Sequence, residues 1–318
     1  MNAKAQQPDI LVSEVGPRDG LQSISKAMPT DAKLRWIAAL ANAGLREIEV
    51  GSFVSPKLLP QMADAGEVVA GAIKIFGLTV LALVPNLKGA ERAVMAGVHK
   101  LTMPVSASRQ HSLSNIGKTP DEAVAEVARV RTFIDALPPG PRPGLEVGIS
   151  TAFGCTMEGP VSEDRVIEMA GLLAKAGADS IGLSDTTGYA NPAQVKRMFK
   201  RLFAEIGALA GGAHLHNTRG QGLANVVAAL DAGVTTFDSS QGGLGGCPYA
   251  PGATGNIVTE DLVFLLESMG LGTGVDIDKL IAARAIIQAA LPGEPLYGHV
   301  PDAGLPKGFV PAKPRNDA

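Results

Sequence analysis

The chain has 318 residues, a length that suits one α/β barrel with decorations. Hydrophobic residues make up 46% and charged residues 19%, which supports a large buried core and excludes a disordered chain, while a net charge of -3 with no basic run argues against a nucleic-acid-binding face. No apolar run approaches the roughly 18 residues of a membrane span, the first ten residues lack a signal-peptide core, and two cysteines cannot form a disulfide framework, so a soluble cytoplasmic protein is expected.

Short β-rich runs alternate with helical stretches along the whole chain. The predicted strands are I-L-V-S-E-V (10–15), E-I-E-V (47–50), L-T-V-L-A-L-V (78–84), K-L-T-M-P-V (100–105), L-E-V-G-I-S (145–150), S-I-G-L-S (180–184), A-H-L-H (213–216) and T-T-F-D-S (235–239). Helical periodicity lies between them, as in 31–43, 120–136, 163–176, 192–206 and 221–232. Ala-Gly pairs at Ala43-Gly44, Ala96-Gly97, Ala176-Gly177 and Ala232-Gly233 mark helix ends, because glycine tolerates the left-handed conformation a helix C-terminus often adopts. Eight βα units predict a closed TIM (β/α)₈ barrel over about 10–270. A doubly wound open sheet is the alternative, weakened by the lack of a G-x-G-x-x-G after the first strand. Residues 276–291 read as a further helix within a cap of about 271–292 over one barrel face, and 293–318, rich in Pro and Lys, as a loose tail.

Barrel chemistry belongs at the C-terminal ends of the strands. Strand one ends in Arg18, Asp19 and Gln22, strand two carries Glu49, and strand six ends in Asp185, Thr186 and Thr187. Strand seven carries His214 and His216, whose i, i+2 spacing puts both imidazoles on one face of a strand. Two readings follow, a pair of metal ligands or a hydrogen-bonded core pair. Convergence of two of only five histidines beside strand-end carboxylates favours the metal. Asp19 would add a charged oxygen and Asn256 a neutral one, a donor set for Mg²⁺, Mn²⁺ or Zn²⁺ with open positions. Asp19 also reads as a turn residue before Gly20, Arg18 as an ion-pair cation or an oxyanion stabiliser, and Glu49 as its structural partner or a base. The glycine-rich stretch 242–256 reads as a lid with Cys247 as a proton donor, or as a linker. Cys155 reads as a small buried residue.

Together these motifs resemble the hydroxymethylglutaryl-CoA lyase family. The matching stretches are V-G-P-R-D-G-L-Q (15–22), S-F-V-S-P-K (52–57), P-N-L-K-G (85–89), H-L-H-N (214–217) and G-L-G-G-C-P-Y-A-P-G-A-T-G-N (243–256), and the similarity runs from about 11 to 291. The resemblance implies a metal-dependent barrel that cleaves an acyl-CoA, 3-hydroxy-3-methylglutaryl-CoA, to acetyl-CoA and acetoacetate, a step of leucine degradation. It implies Asp19, His214, His216 and Asn256 as ligands of Mg²⁺ or Mn²⁺, with Zn²⁺ an option. It implies Arg18, Glu49, Cys247 and Asp185 as catalytic residues, and Arg18, Gln22 and Thr186 as substrate contacts. A homodimer is compatible with it. Departures from the pattern are Asn217 in place of the usual Asp, S-D-T-T-G in strand six, and a weak match over 106–115, a stretch that could line the acyl pocket. They leave room for a related 3-hydroxy-3-alkylglutaryl-CoA or citramalyl-type substrate, or for a Claisen-condensing synthase. A metal-binding barrel without catalysis is disfavoured by the full set of polar residues.

Overall fold

A computed structural model describes residues 8–245 and 255–312. The strands are β1 (Leu11–Glu14), β2 (Glu47–Ser52), β3 (Thr79–Leu83), β4 (Lys100–Ser106), β5 (Gly144–Ser150), β6 (Ser180–Ser184), β7 (Ala210–His214) and β8 (Thr236–Ser239). Each pairs in parallel with the next, and β8 returns to β1, so the sheet is a closed barrel and the open-sheet alternative falls. Around it run α1 (Thr30–Asn42), α2 (Ala65–Ala72), α3 (Leu87–Ala96), α4 (Arg109–Ile116), α5 (Pro120–Asp135), α6 (Glu163–Lys175), α7 (Pro192–Ile206), α8 (Gly222–Leu230) and α9 (Thr259–Ser268).

The core lies between barrel and helices. In α7, Val195, Met198, Phe199 and Leu202 recur at helical spacing and are fully buried. Burying each contributes about 1.5–3 kcal/mol, and truncating Phe199 to alanine would cost about 3–5 kcal/mol. Local signals start the helices where the sequence places them. Thr119 and Glu122 form a reciprocal capping box before α5, with Pro120 at its first turn.

One strand starts earlier than predicted. β7 spans 210–214 rather than 213–216, because Gly211 and Gly212 have no β preference and hide its start. Those glycines are required by space: a Cβ on Gly211 would stand 2.3 Å from Ser180 Oγ, and one on Gly212 2.9 Å from the Thr236 carbonyl. Leu215 and His216 leave the ladder and pair with a returning segment: Ile257 N donates to Leu215 O (3.1 Å), and His216 bridges Asn256.

After α9, α10 (Ile277–Ala290) packs against α1 and α9 beside the seam between β1 and β8. The stretch expected as a loose tail is docked over part of its length. Tyr297 N donates to Gly242 O (2.7 Å), and the Asp261 carboxylate accepts from His299 and Val300 N–H at the start of α11 (His299–Ala303). Further on, Phe309 packs against Phe264 with the rings tilted and their centroids 5.2 Å apart.

Candidate metal centre

β1 does not run straight into a loop. Gly16–Gly20 forms a π-helical turn in which the amides of Arg18, Asp19 and Gly20 all point at Val15 O, at 3.1, 2.7 and 3.4 Å. The turn throws Arg18 and Asp19 together over the barrel mouth. Arg18 Nη1 lies 2.6 Å from Asp19 Oδ1, and its Nε and Nη2 grip Glu49. Glu49 is buried on β2, and its other oxygen takes the hydroxyl of Thr102 from β4. Burial opposes charge on Arg18, but the two carboxylates outweigh it and hold the guanidinium pKa above its usual value. Glu49 is raised, because burial outweighs the attraction of Arg18.

The second half of the site comes from β7. The His214 and His216 rings converge, with their Nε2 atoms 3.2 Å apart. His214 Nδ1 lies 3.0 Å from Asp238 Oδ2 on β8, and Asp19 Oδ2 lies 3.9 Å from His214 Nε2. Asn256 Nδ2 donates to Asp19 Oδ2 at 2.7 Å. Burial raises the Asp19 carboxyl, but Arg18, His214 and His216 overcome it and bring the pKa down to about 2. Burial and then the neighbouring His214 push His216 down to about 4. For His214, burial is outweighed by Asp238 and Asp19, so its pKa is raised.

These residues fit a cation. The ligand atoms of Asp19, His214 and His216 lie within 4.8 Å of one another. Asp238 accepts the Nδ1 proton of His214, which leaves the Nε2 lone pair facing the cluster. His216 is neutral above its low pKa, so a second lone pair is present. Asn256 Oδ1 is buried beside them without a hydrogen-bond partner, a group that an ion would satisfy. A carboxylate, two imidazoles and an amide oxygen suit Mg²⁺, Mn²⁺ or Zn²⁺ rather than a closed thiolate site.

The other predicted positions fall around this core. Gln22 Nε2 donates to Asp19 Oδ1 at 3.1 Å, which places it at the mouth. Thr186 Oγ1 accepts from Thr151 N (2.9 Å), a link between the β5 and β6 ends. Asp185 is 1% exposed, and one oxygen accepts from Tyr189 and Ala190 N–H, so it braces the turn after β6. Burial lifts its pKa to about 6. The Asn217 side chain serves α8: its Oδ1 accepts from Gly222 N (2.9 Å) at the start of that helix. Within 106–115, Ser106 Oγ and His111 Nδ1 lie 2.7 Å apart, both buried. Cys155 is a buried free thiol. Cys247 lies outside the described residues.

Two contributors escape the motif reading. Asp238 is in register with His214 across the β7–β8 ladder, and alternation along T-T-F-D-S puts it on the inner face. Thr102, on β4, reaches past β3 to the Glu49 carboxylate on β2. No helix among the described residues is long and apolar enough to cross a membrane.

Comparisons with known proteins agree with this geometry. The HMGL-like family model matches residues 9–287. A protein of Bacillus subtilis named hydroxymethylglutaryl-CoA lyase YngG is 42% identical over 90% of this chain and 94% of its own length. The mitochondrial hydroxymethylglutaryl-CoA lyase of Bos taurus is 41% identical over 89% of this chain and 86% of its own. A solved structure described as an HMG-CoA lyase from Acinetobacter baumannii with coenzyme A and 3-methylmalate superimposes with a TM-score of 0.88 at 39% identity, covering 98% of this chain and all of that one.

Proposed function

Because the chain belongs to the HMGL-like family, we propose that it cleaves 3-hydroxy-3-methylglutaryl-CoA to acetyl-CoA and acetoacetate as a metal-dependent carbon–carbon lyase. The observation that carries this reading is the meeting of a paired Arg18 with the Asp19, His214 and His216 cluster at the barrel mouth.

A bound divalent ion, Mg²⁺ or Mn²⁺, would act as a Lewis acid that lowers the pKa of the tertiary hydroxyl. Asp19, His214, His216 and Asn256 would hold it. A carboxylate or imidazole of the cluster takes the hydroxyl proton, the hydroxyl oxygen becomes the ketone oxygen of acetoacetate as the C2–C3 bond breaks, and the released electron pair places negative charge on the thioester oxygen. Arg18 suits that charge, since two carboxylates hold its guanidinium in place before the reaction begins. Glu49 acts through Arg18 by fixing its angle, and Gln22 steadies Asp19. Cys247 would deliver a proton to the enolate carbon from the glycine-rich segment. Asp185 and Thr186 shape the pocket wall at the β6 end. The cytoplasm is the proposed location, consistent with the free thiol of Cys155.

A panel of acyl-CoA thioesters tests the substrate. Acetyl-CoA release should be fastest from 3-hydroxy-3-methylglutaryl-CoA. Faster release from citramalyl-CoA or from a bulkier 3-hydroxy-3-alkylglutaryl-CoA would replace that substrate and keep the reaction.

A further inference from the structure

A second set of buried polar groups joins the chain segments that carry the metal centre. Glu14, at the end of β1, is completely buried, and its partners lie on the turn after β1 and on the chain that follows β8. Its Oε1 accepts from Gly16 N (2.8 Å) and from Gln241 N (2.9 Å), and its Oε2 lies 2.6 Å from Thr259 Oγ1. Gly16 opens the π-helical turn that carries Arg18 and Asp19. Gln241 starts the segment after β8, and Thr259 follows it three residues beyond Asn256.

We propose that Glu14 is a positioning residue for the metal centre: its buried carboxyl clasps the turn that carries Asp19 to both ends of the segment that carries Asn256. Asp19 and Asn256 meet at 2.7 Å, and Glu14 joins the same two segments through Gly16, Gln241 and Thr259. Gly16 is matched to the clasp, because a Cβ there would stand 2.5 Å from Glu14 Oε1. The far side is braced in turn. Trp36 Nε1 donates to Gln241 Oε1 (2.6 Å), Gly242 N donates to Glu260 Oε2 (3.0 Å), and Arg284 pairs with Glu260 (2.7 Å). A ligand set drawn from three stretches of chain depends on such supporting bonds, and losing one commonly weakens metal affinity by about 10–100-fold.

This inference rests on the reading of Asp19, His214 and His216 as ligands, so its test measures metal binding directly. Mn²⁺ dissociation constants of the metal-free full chain are measured by electron paramagnetic resonance for the wild type, Glu14→Ala, Glu14→Gln and Val130→Ala. Val130 is buried on α5, away from the seam, and truncating it controls for a general loss of stability. Glu14→Ala should weaken Mn²⁺ binding tenfold or more. Glu14→Gln, whose amide can accept both N–H bonds and still meet Thr259, should stay within threefold of wild type, as should Val130→Ala. Where Glu14→Ala does not fold, Thr259→Val removes one arm and should weaken binding threefold or more. Wild-type affinity in Glu14→Ala, or in Thr259→Val if it must stand in, would overturn the positioning role, as would an equal loss in Val130→Ala. Absence of Mn²⁺ binding by the wild type would overturn both this role and the metal centre itself.

Discussion

Asp238 Oδ2 stands 3.0 Å from Nδ1 of His214, and the two residues are paired in register on neighbouring strands. The contact fixes the imidazole tautomer and turns its other nitrogen toward His216 and Asp19. Asp238→Asn keeps the shape and removes the charge. Mn²⁺ affinity should fall about 10–100-fold, against a larger loss for His214→Ala, as calorimetric titration of the metal-free protein would show. Unchanged affinity in Asp238→Asn would remove it from the account.

Arg18 touches both Asp19 and Glu49, yet its proposed work is on the thioester oxygen. Arg18→Met should lower kcat by about 10²–10³-fold, the usual effect of deleting a charge-stabilising donor, while Mn²⁺ remains bound. Steady-state rates with saturating Mn²⁺ check this, and a loss confined to metal affinity would contradict it.

The histidine pair predicts a pH signature. Metal and proton compete for the same nitrogens. His216 is depressed to about 4 and is already neutral at pH 5, whereas His214 is raised and keeps its proton to higher pH. As pH falls from 8 to 5, the Mn²⁺ dissociation constant should therefore rise with a limiting slope of one proton. A two-proton slope in that range would mean that both rings carry protons.

Cys247 is assigned from the sequence alone. Cys247→Ser should bind Mn²⁺ as the wild type does and lose about 10²-fold in kcat, within the ordinary range for removing a general acid. Full activity in the variant would end the thiol's role.

Much of the fold was legible because its signals are local. Ala-Gly helix ends, short β-rich runs and helical periodicity mark the βα units without reference to distant contacts. His214, His216 and Asp19 were legible through residue type and position at strand ends. Asp238 and Thr102 were not, because their importance depends on which residue they meet on another strand, the neighbouring β7 for Asp238 and β2, beyond β3, for Thr102. Glu14 was hidden more completely. In I-L-V-S-E-V it reads as one polar residue at a strand end, and its partners Gln241 and Thr259 lie far away in the sequence. The early start of β7 was masked by two glycines needed for space.

Burial pushes Glu14 up to about 8, with its hydrogen bonds only partly opposing. The native protein then holds this proton where the unfolded chain, near 4.5, releases it. The resulting stabilisation is complete below pH 4.5 and is lost as pH rises toward 8. Glu14→Gln has no proton to lose. Urea unfolding at pH 5 and pH 8 should show the wild type losing more stability than the variant, by on the order of 2–4 kcal/mol. Equal losses would place the carboxyl in its ionised form throughout.

Metal-assisted carbon–carbon cleavage is tested by acetyl-CoA release from 3-hydroxy-3-methylglutaryl-CoA before and after metal removal. Chelator-treated protein should release none, and Mg²⁺ or Mn²⁺ should restore release to the wild type but not to His214→Ala at the same metal concentration. Undiminished release from metal-free protein, or none from metal-loaded wild type, would contradict the account.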